Sequence, residues 1–132
     1  MGFINTIDVL GDDVVADSII EGTIAEFRDE SVTMIGAGAF AECKSLALVD
    51  VPNVTNIASA AFQWETALRT LILRGNSVCK LDTTAAFTGT PIQTSSTAGA
   101  IFVPDNLVNT YKSATNWSTF AAKIKPLSEL EE

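Results

Sequence analysis

Val32-Thr-Met-Ile-Gly-Ala-Gly-Ala-Phe40 and Val54-Thr-Asn-Ile-Ala-Ser-Ala-Ala-Phe62 are two copies of one frame. Ile35 maps onto Ile57, Phe40 onto Phe62, Leu46 onto Leu68, Val49 onto Leu71 and Val51 onto Leu73, each pair 22 apart (57−35, 62−40, 68−46, 71−49, 73−51). A looser third copy runs through Leu81, Ala85-Ala86-Phe87 and Ile101-Phe102-Val103. Five apolar positions sharing one spacing mark an internal repeat, and a repeat of this length means units that bury a continuous core by stacking.

Each unit carries one short strand. Leu46-x-x-Val49-x-Val51 and Leu68-x-x-Leu71-x-Leu73-x-x-Asn76-x-Val78 fit a leucine-rich pattern. Positions 49/51 and 71/73 share one sheet face, and 50 and 72 point the other way. Ala-Phe then opens a short helical turn with its phenylalanine inward. Strands one turn apart stack in parallel, and about three or more units with capped ends are needed for stability. The fold class expected is an α/β solenoid, a short leucine-rich repeat of three to four turns with parallel strands and a helical C-terminal cap.

Three regions follow from this reading: an acidic N-terminal cap over 1–30, repeats over 31–103, and a helical C-terminal cap and tail over 104–132. The first holds eight acids against Arg28 alone, and Ile19, Ile20, Ile24 and Phe27 provide a degenerate first turn. Gln93–Gly99 reads as a polar inserted loop. Pro104-Asp105 opens one helical stretch. Asn116 N-caps another in which Trp117, Phe120, Ala121 and Ile124 share a face and which Pro126 stops. Leu127–Glu132 reads as a frayed tail.

Composition removes several function classes. The chain has 132 residues, 47% of them apolar and 18% charged, with net charge −8. That length suits one domain. An acidic chain repels phosphate backbones and gains nothing from anionic lipid, so neither nucleic acid nor membrane is expected as a partner. Histidine is absent, which removes Ser-His-Asp and Cys-His arrangements and most catalytic zinc sites. No catalytic residue, cofactor or metal is expected. The N-terminus shows no secretory signal pattern and only a short match to a myristoylation signal at Met1–Thr6. No apolar run reaches membrane-spanning length. The chain is therefore expected to be made in a reducing cytoplasm.

The remaining motifs read as structure. Gly36-x-Gly38-x-x-Ala41 resembles a dinucleotide fingerprint, but the next copy has Ala58 and Ala60 in the same frame, so the small residues serve a tight turn. Cys43 and Cys79 are 36 apart (79−43), out of step with the repeat, which predicts two free, packed thiols. Asp12-Asp13-x-x-x-Asp17 lacks EF-hand spacing and reads as a solvated cap. Asn53-Val-Thr55 and Asn116-Trp-Ser118 are sequons that matter only in a eukaryotic secretory route. Phe40, Phe62 and Phe87 form a core stripe, and Trp117 and Phe120 cover the last turn.

The run Val32-Thr-x-Ile-Gly-x-x-Ala-Phe-x-x-Cys-x-x-Leu46 resembles the BspA-like (Treponema-type) leucine-rich repeat, with Glu65 replacing the cysteine in the second copy. Ile101–Ala121 is similar to the closing segment of such domains in phage and prophage proteins, as are Leu71-Ile-Leu-Arg74 and Ala86-Phe-Thr-Gly-Thr-Pro-Ile92. The likeness spans roughly 24–126. It implies adhesion or recognition, carried in phage relatives by virion-associated proteins. The expectation is a non-enzymatic virion binding or assembly module (head fibre, decoration or tail-associated protein), assembled in the host cytoplasm. The alternative is a BspA-type adhesin fragment at the bacterial cell surface. Partners would be virion proteins, a second copy of the chain in a homo-oligomer such as a trimer, or a host surface glycan. Leu48, Asp50, Thr70, Ile72, Arg74 and Phe102 alternate away from the core and form the expected partner-binding face. Leu48, Ile72 and Phe102 are apolar yet expected to be exposed there.

Overall fold

The computed structural model describes residues 9–10, 26–28, 30, 32–37, 40, 45–95 and 97–130. Among the described residues nine short strands lie in two parallel sheets. Strands β1 (Val9–Leu10), β3 (Met34–Ile35), β5 (Asn56–Ile57) and β7 (Lys80–Leu81) form one, in that order. The other runs β2 (Glu26–Arg28), β4 (Leu48–Asp50), β6 (Thr70–Ile72), β8 (Ala100–Val103) and β9 (Ile124–Pro126). The chain alternates between sheets as far as β8, so each strand pairs with the one two places on.

The register carries the repeat arithmetic. Ile35 pairs with Ile57 and Val49 with Leu71, the same partners that the 22-residue frame aligns. The third unit is longer: Thr70 pairs with Ala100, 30 apart (100−70). The extra length holds α1 (Pro91–Thr94), capped by the Thr90 side chain with Pro91 in its first turn, and the loop after it. That helical turn corrects the reading of 93–99 as loop throughout: Gln93 and Thr94 belong to α1.

The interior follows the alternation. Val49, Val51, Leu71, Leu73, Ile101 and Val103 join one core cluster with Ile35, Ile57 and Leu81. The phenylalanines stack through it: Phe40 on Phe62 at 5.4 Å, Phe62 on Phe87 at 5.6 Å, both nearly parallel, with Phe27 edge-on to Phe40 at 5.1 Å. These spacings sit slightly above the 4.7–4.9 Å rise between neighbouring strands, so each ring rests on the layer before it. Backbone bonds tie the turn segments together, from Phe40 N–H to the Ala61 carbonyl (3.0 Å) and from Phe62 N–H to the Ala86 carbonyl (2.9 Å). Ala60 has φ +64°. It occupies the frame position of Gly38 (60−22), so this turn demands the left-handed conformation that glycine adopts freely.

The C-terminal segment closes the stack. Trp117 and Phe120 lie against Phe87, at 6.0 and 5.1 Å between rings, and Tyr111 from α2 (Val108–Ser113) meets Trp117 edge-on at 5.3 Å. Polar groups of the cap meet the last strand of the four-stranded sheet. Cys79 N–H donates to the Tyr111 hydroxyl (2.8 Å), Trp117 Nε1–H to the Cys79 carbonyl (2.6 Å), and Asn116 Nδ2 to the carbonyls of Leu81 (2.7 Å) and Asp82 (3.0 Å). An open strand edge invites pairing with another chain, and these side chains occupy the bonds a further strand would make.

Three expectations about this segment are corrected. Asn116 makes no N-cap bond; at φ +69° it turns its amide towards β7 instead. The stretch after it is 3₁₀ helix over Trp117–Lys123, kinked at Phe120, and Ile124 opens β9 beside Ile101, with Pro126 inside that strand. An edge strand needs few donors, so proline is tolerated there. Leu127–Glu129 forms a 3₁₀ turn fastened by Ser128 N–H to Asp105 Oδ1 at 3.0 Å, not a frayed tail. Ile19, Ile20, Ile24, Asp12, Asp13, Asp17 and Cys43 lie outside the described residues.

Candidate functional site

Parallel register aligns Arg28, Asp50, Ile72, Phe102 and Lys125 in one row across the outer face of the five-stranded sheet. Arg74, two residues beyond Ile72, points the same way by alternation. Asp50 sits at the centre with only 6% of its surface exposed. Arg74 grips its carboxylate through Nε to Oδ1 (3.1 Å) and Nη2 to Oδ2 (3.0 Å), and Arg28 Nη1 donates to Oδ2 at 2.9 Å. Glu26 approaches Arg28 Nε at 3.4 Å from the exposed side. Burying a carboxylate is costly unless charge and hydrogen bonds compensate it. Two guanidiniums supply both, and their bidentate forks suit the task better than lysine would.

A cleft of about 580 Å³ opens beside this triplet, lined by Arg28, Glu30, Asp50, Pro52, Asn53 and Arg74. Asn53 Nδ2 donates to the Glu30 carbonyl at 2.7 Å, fixing one wall. Among the described residues the lining offers guanidinium donors, carboxylates and an amide. Such a set recognises carboxylates and carbonyl-rich surfaces through directed hydrogen bonds.

The six residues expected to form a partner face lie on one face of the five-stranded sheet, but their exposure differs from expectation. Ile72 is fully buried, Asp50 is buried, and Leu48, Thr70, Arg74 and Phe102 are half-buried. The alternation is right, since Leu71 and Leu73 enter the core cluster and Ile72 does not. The error concerns Ile72's surroundings. It is flanked by Asp50 and Phe102 across the strands and by Thr70 and Arg74 along its own, which leaves it no contact with water. A substitution to a charge there would therefore disturb the fold, contrary to what an exposed position would allow.

Arg28, Glu30 and Asn53 were missed. A signal existed for Arg28, which precedes Asp50 by 22 (50−28) and so holds the same outward frame position. Glu30 and Asn53 lie in connections between strands, where the periodicity is silent.

Cys79 is a free, buried cysteine, as the packing role required. Burial chiefly, and the nearby Asp82 carboxylate secondarily, push its thiol up to about 12. Burial likewise pushes the Tyr111 phenol up to about 12, against the lowering effect of the bond from Cys79 N–H. Both groups therefore stay protonated in their hydrogen-bonded places. Among the described residues no group of three His, Cys, Asp or Glu side chains is placed to hold a metal ion, and no helix is long and apolar enough to cross a membrane. No protein-family model matches the chain, and no curated protein matches it either.

Proposed function

We propose that the chain is a short leucine-rich solenoid of BspA-like type that serves as a non-enzymatic binding or assembly module of a phage virion. The outer face of its five-stranded sheet would dock another protein. The observation that carries this reading is the Arg28–Asp50–Arg74 triplet beside an open cleft, framed by half-buried Leu48, Thr70 and Phe102. An apolar centre with an arginine-bearing rim is the usual make-up of a protein interface. The 22-residue register and the stacked phenylalanines support the repeat assignment.

The test is co-purification. Particles banded on a density gradient should carry the chain, detected by peptide mass spectrometry. Leu48→Glu and Thr70→Glu should each reduce its occupancy at least about tenfold while the circular dichroism spectrum is kept; tenfold corresponds to ~1.4 kcal/mol. Absence from purified particles, together with recovery at a bacterial cell surface, would overturn the virion reading in favour of the adhesin.

A further inference from the structure

Trp64 is half exposed, at 51%, and Met34 in β3 is the only other large apolar side chain exposed among the described residues. Its backbone has φ +64°, a conformation that bulky residues rarely adopt. Trp64 N–H donates to the Thr88 carbonyl at 2.7 Å, so the strained turn is bonded to the next layer. The indole is seated there too. A Cβ built on Gly89 would lie 2.3 Å from Trp64 Cε3 and 2.8 Å from Cζ3, so the ring rests on bare glycine backbone. Gly89 itself has φ +82°. Gln93 Oε1 accepts the Gly89 N–H at 2.9 Å, and the amide's NH₂ group has no acceptor among the described residues.

We infer that Trp64 is the stacking platform of a binding site for a pyranose ring of a neutral glycan. A tryptophan fixed from below by backbone and strained into place presents a rigid aromatic surface whose ordering is complete before a ligand arrives. The electron-rich face attracts the weakly positive C–H face of a sugar as it attracts other partly positive groups. The amide of Gln93 lies by the ring's seat, where it can meet hydroxyls, and the half-buried Gln63 and Thr88 beside it in the chain and across the turn add uncharged polar groups. Among the described residues these solvent-facing neighbours carry no charge and Glu65, next in the chain, is fully buried, which favours a neutral sugar over a uronate or a sialylated chain. A protein partner is the poorer fit, because the apolar core of a protein interface needs several clustered side chains and no other large exposed apolar side chain among the described residues lies in this turn segment. One sugar ring matches one indole in size. The site is independent of the sheet face, because it lies in the turn segment between β5 and β6 and shares no residue with the cleft.

The test is a binding screen of the full chain against immobilised linear hexasaccharides of glucose, galactose, mannose, rhamnose and N-acetylglucosamine, with sialylated and uronic acid chains alongside. Iodide quenching follows in solution. Trp117 is 1% exposed, so quenching reports Trp64. At least one neutral glycan should bind saturably and shield Trp64 from iodide. Trp64→Ala should weaken binding by about tenfold or more, Gln93→Ala by about threefold, and Trp64→Phe should fall between wild type and alanine. The Gln93 variant keeps the proposal testable if Trp64→Ala fails to fold. Binding of no neutral glycan, binding of acidic chains only, or full affinity in Trp64→Ala overturns it. Shielding of Trp64 by virion protein in place of sugar overturns it in favour of a protein contact.

Discussion

Trp117→Ala removes the side chain that joins the cap to both the phenylalanine stack and the edge of β7. The residue is 1% exposed, packs on Phe87 and Tyr111, and donates to the Cys79 carbonyl. Truncating a buried aromatic costs about 3–5 kcal/mol. Leaving the Cys79 carbonyl without its donor falls partly within that figure and brings the expected loss to about 4–6 kcal/mol. At ~2.1 cal/mol/K per residue the unfolding entropy of a chain of 132 residues is ~0.28 kcal/mol/K, so ~4 kcal/mol lowers Tm by about 14 °C. Trp117→Phe keeps most of the ring contact and loses the hydrogen bond, for about 1–2 kcal/mol, or about 4–7 °C. Differential scanning calorimetry with circular dichroism measures both, and static light scattering at 37 °C reports whether the uncapped edge recruits other chains. A fall below about 4 °C for the alanine variant would refute the reasoning, because the cap would then hold without Trp117. Equal losses for alanine and phenylalanine would mean that the hydrogen bond and not the packing carries the effect.

Gly99→Ala should lower stability by about 2–4 kcal/mol, because the residue has φ +95° and its Cβ would lie 2.9 Å from the Ile92 backbone; urea titration checks this. Ile72→Glu should destabilise by more than about 3 kcal/mol, since a carboxylate there would be buried beside Asp50; an unchanged urea midpoint would show that the position is open to water. Stability should fall in alkali. The folded-state values of Cys79 and Tyr111 are raised to about 12 from 9.0 and 10.0, so their contribution is complete below pH 9 and is lost as pH rises towards 12. Cys79→Ala melts followed from pH 8 to 11 should show a shallower decline. A native-state thiol assay at pH 8 should leave Cys79 unmodified until denaturant is added.

The repeat was legible because its signal is apolar and periodic. Ile35 pairs with Ile57 and Val49 with Leu71 as the spacing aligned them, and the phenylalanine of each copy stacks on that of the next. Polar bonds to a neighbouring strand leave no period. Asn116 reads as an N-cap from its own neighbours, and only the approach of β7 shows that its amide belongs to Leu81 and Asp82. Ile124 fitted a helical face at i+7 from Trp117, but pairing with Ile101 overrode that local pattern, a tertiary effect that spacing does not register. The candidate face was legible as a direction and not as an exposure. Alternation places Ile72 outward correctly, whereas its burial depends on Asp50, Arg74 and Phe102 together. Trp64 stood in no frame at all, because its counterpart two residues after Phe87 is Gly89, which is the reason the indole has somewhere to sit.

Among the described residues the cap's hydrogen bonds and ring contacts go to the final layer. Its side-chain hydrogen bonds reach Cys79, Leu81 and Asp82 and, from Lys123 Nζ, the carbonyls of Pro91, Ser95 and Ala98, and its rings reach Phe87; among the described residues its side-chain polar and ring contacts go to nothing deeper in the stack. The closing device and the length of the body are therefore separable quantities. A duplicated stretch from Val54 to Gly75, one 22-residue period inserted in frame, would present the same last surface to the same cap. The body would lengthen by one strand spacing, ~4.8 Å, with one more ring in the phenylalanine column and one more row on the outer sheet face. If the proposed solenoid holds, length is set by counting units, and the reach of whatever it carries can change in steps of about half a nanometre without a new way to finish the chain.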